Sequence, residues 1–307
     1  MLNRITSGLA RDIQEKILSQ KINFLYDDRP LLLRTPQAEL GSGRIILQDI
    51  HFAFLWCCSY ATVAFNTMYY EKAPTAGNVV TFGDRPEIQK VMLTLNWARS
   101  LTKEITWWPM EAARPDQPDK WTESANNLFE ACAAYLVLHE IAHVINDGDL
   151  EPLMNARRDP FYEISKEECQ RIFKAEQEAD IFALEALIGS SVLHEVRLIK
   201  YLGAALAHLS NCYILDTPDT RQGPTHPDLD DRLRTVIQKA VLTQEDDQIQ
   251  LKAHLIVGVQ LFLILTGREF IPEYPEQADY ANFDDLEKYL FDLIRQMKEA
   301  ARSRGWE

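Results

Sequence analysis

Residues 136–146 read Leu136-Val-Leu-His-Glu-Ile-Ala-His-Val-Ile-Asn146, which sets His139 and His143 four positions apart with Glu140 directly after the first. On a helix, side chains at i and i+4 stack one turn apart on the same face. Two imidazoles so placed can bind one Zn2+ at about 2.0–2.1 Å. Glu140 falls about 100° round the helix, beside the metal rather than on it. There it can take a proton from a metal-activated water and later pass it to a leaving amine. The flanking Leu136, Val137, Leu138, Ile141, Ala142, Val144 and Ile145 carry no charge to satisfy the polar trio. Buried unpartnered, that trio would cost on the order of several kcal/mol, and a metal removes the cost. The alternative is a set of core polar residues that fall into this spacing by chance.

A catalytic zinc needs a third protein ligand and one open position. Six residues after His143 stands Asp149, not a third histidine. The next source is Arg171-Ile-Phe-Lys-Ala-Glu-Gln-Glu-Ala-Asp-Ile-Phe-Ala-Leu184. At about 100° per residue its apolar arc holds Phe173, Ala175, Ala179, Phe182, Ala183 and Ala186, together with Glu176 and Asp180. Glu178, Glu185 and Lys174 fall on the opposite side. Charged residues rarely sit on a core face without a partner. Glu176 is therefore the candidate third ligand, and Asp180 is placed to orient a ligating histidine. Arginines across a helix interface would be the plainer partners for both.

A third piece is Gly223-Pro-Thr-His-Pro-Asp-Leu-Asp-Asp-Arg-Leu233. Pro227 suits the first position of a helix, which would present His226 at its mouth and Arg232 about a turn and a half further on. His226 could hydrogen-bond a developing oxyanion, and Arg232 could pair with Asp180. A plain helix start with solvated charges is the competing reading.

Helical periodicity dominates the elements that must carry these residues. Helices are expected at about 5–20, 46–70, 86–100, 123–146, 166–189, 191–213, 227–243, 247–266 and 283–302. The helix of 123–146 should stop at Asp147-Gly148-Asp149. An extended stretch with prolines runs to Arg44, and a Pro/Gly loop is expected at Ala73–Gly77. Glu104-Ile-Thr-Trp-Trp-Pro109 reads as a short edge strand. With no repeat, low-complexity tract or clear linker, residues 1–307 read as one domain. It is mainly α with a small β-sheet, a zincin-like α+β core at roughly 100–240 and helical extensions over 1–100 and 245–307.

Composition narrows the function classes. The chain has 307 residues, 46% of them apolar and 25% charged, and a formal charge of −14. That balance argues against a broad basic nucleic-acid face and against docking on anionic lipid. Cys57, Cys58, Cys132, Cys169 and Cys212 are odd in number and scattered, which fits a reducing compartment and a cytoplasmic location better than a disulfide framework. The most apolar run, Phe52–Phe65, has 14 residues and falls short of the roughly 18–20 that a membrane helix needs. No membrane span is expected there or at Leu255–Leu265.

Three ordered pieces, His139-Glu-Ile-Ala-His143, Glu176-Gln-Glu-Ala-Asp180 and Thr225-His-Pro-Asp-Leu-Asp-Asp-Arg232, resemble the gluzincin metallopeptidases of the HtpX and CAAX prenyl-protease type. The likeness covers roughly residues 135–235. It implies zinc ligation by His139, His143 and Glu176, Glu140 as general base, and supporting roles for Asp180, His226 and Arg232. The spanning helices of that family's membrane members are not expected here. More loosely, length and the mid-chain motif are similar to the phage-exclusion Lit-type peptidases, which would imply attack on a host protein when infection is sensed. Peptidases of this class also place a substrate-binding edge strand before the zinc helix, where Trp107-Trp108-Pro109 stands; aromatic core packing is the alternative for those residues. The expectation is a zinc endopeptidase with a protein or peptide substrate, open to a regulatory protein partner. A non-catalytic zinc module in a binding protein is the second reading. The segment 148–168 between the ligand helices could serve as a lid or partner surface.

Overall fold

Arg44–Leu47 (β3) alternates outward Arg44 and Ile46 with fully buried Ile45 and Leu47, the period-two signature of a strand with one face on a core. It is the middle of a three-stranded sheet. Asn23–Tyr26 (β1) pairs with it in parallel, Asn23 opposite Arg44. Gln37–Glu39 (β2) pairs on the other side in antiparallel fashion, Ala38 opposite Ile45. In the computed structural model the described residues are 11–27, 29, 32–76, 85–157, 161–189, 194–266 and 283–305.

Helices make up most of the rest. Arg11–Ser19 (α1) precedes the sheet, and Asp49–Ala76 (α2) and Pro86–Ser100 (α3) follow it. Pro86 stands at the start of α3, where its missing N–H costs nothing. Then come Thr122–Asn146 (α4), the short Glu151–Ala156 (α5), Lys166–Ile188 (α6), His194–Tyr213 (α7), Leu229–Lys239 (α8), Glu245–Leu265 (α9) and Phe283–Arg304 (α10). α4 is apolar on nearly every side because it is the central helix: α2, α6 and α7 all pack on it. Gly203 lets α7 approach closely, since a Cβ there would fall 2.5 Å from Ala131 Cβ and 2.8 Å from the α4 backbone. α6 starts at a capping box, with Ser165 Oγ accepting from the Glu168 N–H and Glu168 accepting from the Ser165 N–H.

Two helices, α4 and α9, are long and apolar enough to cross a membrane, and most of each is buried inside the fold. Of the stretches examined in sequence, 255–265 lies in α9; the apolar run 52–65 lies within α2.

Several sequence expectations need correction. The expected strand at 104–109 is irregular backbone. Pro109 offers no donor to a ladder, and the segment is held by side chains instead. Trp108 packs at ring distances of 4.4 Å on Trp97 and 5.8 Å on Trp56, and donates its indole N–H to the Ala113 carbonyl. Trp107 is 96% exposed. The sheet comes from 23–47, the stretch read only as extended, so Ile46 and Leu47 belong to β3 and not to the following helix. The loop expected from Ala73 gives way to helical backbone through Ala76; Gly77 lies outside the described residues, as do residues 5–10 of the N-terminal helix. α8 begins at Leu229 rather than Pro227. Asp228, extended at φ −66° and ψ 161°, accepts the Gln222 N–H and the Lys298 ammonium, and this holds the preceding turn out of the helix.

Candidate metal centre

His139 and His143 come from the last two turns of α4, and their Nε2 atoms face each other at 3.0 Å. Each ring is held from behind by a carboxylate. His139 Nδ1 lies 3.0 Å from Asp180 Oδ1, an ion-pair contact rather than a linear hydrogen bond. His143 Nδ1 lies 2.7 Å from Asp147 Oδ2. Rings turned so leave both Nε2 lone pairs aimed at one point. Two such lone pairs at that separation repel unless a proton or a cation lies between them.

Glu176 closes the third side from α6. Its Oε2 is 3.4 Å from His139 Nε2 and its Oε1 is 3.5 Å from His143 Nε2. His139, His143 and Glu176 offer donor atoms that all lie within 4.8 Å of one another, a group that could hold a metal ion. Asp180 is buried one turn further along α6, while Glu178 and Glu185 face water, as the helical arc requires. Arg232 from α8 is buried between the two acids: its guanidinium donates to Glu176 Oε2 at 3.0 Å and approaches Asp180 Oδ2 at 3.5 Å. The arginine partner and the metal-site geometry thus occur together. His226, 40% exposed, reaches over the rim with Nε2 3.4 Å from Glu176 Oε1.

Glu140 lies beside this group, not in it. Its Oε2 accepts the backbone N–H of Ala38 on β2 at 2.6 Å. Burial pushes its carboxyl pKa up, against the pull of His139 and His143. Burial alone would lower the His139 pKa, but the Asp180 and Glu176 carboxylates outweigh it and hold the value at about 10. Conversely, Glu176 stays at about 2 despite burial because His139, then His143 and His226, favour its charged form. The pocket is electrostatically tuned to keep one positive charge between these donors.

Three residues around the centre escaped the sequence reading. Asp147 follows His143 by one helical turn and Tyr135 precedes His139 by one, so the i±4 rule that found the histidines also reaches them. Tyr135 Oη lies 3.0 Å from Asp180 Oδ1 and 2.9 Å from His208 Nε2. His208, on α7, had no motif to mark it.

No curated protein and no solved structure matches the chain. The model of the Peptidase U49 family matches residues 45–253, a span holding all of the donors and their carboxylate partners but not Ala38. Of the two resemblances drawn from sequence, that to Lit-type peptidases falls in this family. The match adds nothing on the HtpX and CAAX type. Since it covers well over half of the 307 residues, the chain belongs to the peptidase U49 family.

Proposed function

We propose that the protein is a zinc-dependent endopeptidase of the cytoplasm, with His139, His143 and Glu176 holding the ion. The observation that carries this is donor spacing. Contacts of 3.0, 3.4 and 3.5 Å among the three side chains bracket the roughly 3.3 Å that separates ligands of a tetrahedral ion with ~2.05 Å bonds. Two imidazoles and a carboxylate suit zinc, and three protein ligands leave the open position of a catalytic site. When bound, zinc would polarise the scissile carbonyl and lower the pKa of a water to near neutrality.

The chain's own residues supply the rest. Glu140, beside the donors and raised in pKa by burial, is the base that takes the proton from the attacking water and returns it to the leaving amine. Asp180 and Asp147 fix the rings of His139 and His143, and Arg232 fixes Glu176. His226, at the rim, donates to the oxyanion. The substrate backbone can add to the outer edge of β2, whose Ala38 N–H already points at Glu140.

The test compares metal content of the wild type with His143→Ala and Glu176→Ala, and peptide hydrolysis with Glu140→Gln. One zinc per chain, lost in both ligand variants, and an inactive but metal-loaded Glu140→Gln are expected. Turnover surviving Glu140→Gln would overturn the mechanism. Zinc without any turnover would favour a binding module instead. The family match favours a Lit-like form of the same reading, a protease that cleaves a host protein to arrest growth during phage infection. A regulatory partner would then govern when it acts.

A further inference from the structure

Behind the donors runs a buried chain of polar atoms through Tyr135 and His208, two residues to which the proposed hydrolysis gives no role. Arg232 Nη1 lies 3.3 Å from His208 Nδ1, His208 Nε2 lies 2.9 Å from Tyr135 Oη, and Tyr135 Oη lies 3.0 Å from Asp180 Oδ1. Tyr135 and His208 are 1% and 2% exposed.

Donor and acceptor capacity leaves one arrangement of protons. A guanidinium only donates, so His208 Nδ1 must accept. A neutral imidazole then carries its proton on Nε2, which donates to Tyr135 Oη. The tyrosine hydroxyl is left to donate to Asp180 Oδ1. Reversing the histidine tautomer would set a ring N–H against a guanidinium N–H. Turning the hydroxyl toward His208 would strip Asp180 of a donor inside the protein. Burial also keeps His208 neutral, with its pKa down at about 3.

We propose that Tyr135 and His208 are positioning residues of the metal centre: they pass a one-way hydrogen-bond chain from Arg232 to Asp180, which holds His139 with Nε2 free for the ion. This rests on the metal reading above. Asp180 Oδ1 meets both Tyr135 and His139 Nδ1, so the hydroxyl decides where the carboxylate sits and hence how the ring is turned. Arg232 also donates to Glu176, which closes the chain into a ring. His139 on α4 and Glu176 on α6 are thereby tied together through α7 and α8. A tyrosine or histidine that merely filled space would leave the ion's affinity alone.

Zinc affinity of the full-length chain, stripped and titrated against a chromophoric chelator, tests this. Tyr135→Phe removes only the hydroxyl, and His208→Asn keeps an acceptor for Arg232 but cannot reach Tyr135. Each is expected to weaken zinc binding by about 10–100-fold with helicity unchanged. The double variant should bind no more weakly than the weaker single variant, because either change interrupts the same chain. If Tyr135→Phe does not fold, His208→Asn carries the test alone. Variant affinities within about twofold of wild type, or losses that multiply in the double variant, overturn this proposal and leave the metal site standing. A wild type that takes up no zinc overturns the metal reading itself, and this proposal with it.

Discussion

Glu140 and His139 are neighbours in sequence with opposite tasks, and each makes a distinct prediction. Glu140 touches no donor atom of the trio, so Glu140→Gln should keep the metal and lower kcat by about 10²–10⁴-fold, the usual scale of general-base loss. His139 governs pH behaviour. Its folded pKa of about 10 exceeds the ordinary value of about 6.5. In metal-free protein the resulting stability is complete below that ordinary value and is lost as pH rises toward 10. Glu176, held near 2, contributes the reverse: stability present above the usual carboxylate range and lost as pH falls toward 2. Melting of chelator-treated protein should therefore be best at mildly acidic pH and decline from about pH 6.5 to 10. A zinc ion would take the place of the proton on His139, so the loaded protein should not show that alkaline decline. At this scale the sequence was informative wherever a helix supplied the ruler. The arc calculation separated Glu176 and Asp180 from Glu178 and Glu185. His208 stayed hidden because no chemical motif surrounds it in α7 and its partners, Tyr135 and Arg232, lie on two other helices.

The elements hold the centre through a few close contacts. Gly203 is where α7 meets α4 five residues before His208. Gly203→Ala would drive a methyl group into Ala131 and the α4 backbone, where nothing can yield without moving a helix. A loss of about 1–3 kcal/mol in chemical denaturation is expected, the usual cost of overpacking. α10 acts on the other side of the site. Lys298 pairs with Asp228 at 2.7 Å and also with Asp230, which ties α10 to the turn that carries His226. Lys298→Met should lower turnover several-fold while zinc content stays at one per chain, since no donor of the trio rests on that turn. Helix spans were legible because amphipathic runs leave a 3.6-residue period and the apolar runs are too long for strands; α3 and α6 matched almost residue for residue. The strands were not. They run for three or four residues, and β1 and β2 owe their pairing to β3 rather than to their own composition. Trp107 and Trp108 looked like strand residues by type, yet one packs on other tryptophans and its neighbour faces water.

For the whole molecule, the metal would join two helices that the surrounding hydrogen-bond ring joins to two more. A zinc ion held there would favour the folded chain, so at a free concentration 100 times its Kd it should add about 2.7 kcal/mol to stability. Stripping it should lower Tm accordingly, and re-addition should restore it; a Tm indifferent to chelation would place the ion, if any, elsewhere. The net charge of −14 leaves this effect intact, since it is set by the three donor side chains and their partners and not by the solvated surface. That the fold is mainly helical was legible from the helical spacing of apolar residues. That residues 37–39, far from the motifs in sequence, would border the centre was not, because β2 reaches Glu140 by a backbone N–H, a group every non-proline residue carries.

That single bond between Ala38 and Glu140 has a kinetic meaning. At rest the carboxylate proposed as the base is already engaged, and by the same amide that an incoming peptide carbonyl would use. A substrate long enough to claim that amide frees the carboxylate as it docks; a short one leaves the carboxylate occupied. The protein should therefore discriminate by length in kcat as well as in KM, cleaving extended peptides while sparing dipeptide amides that carry the same scissile bond.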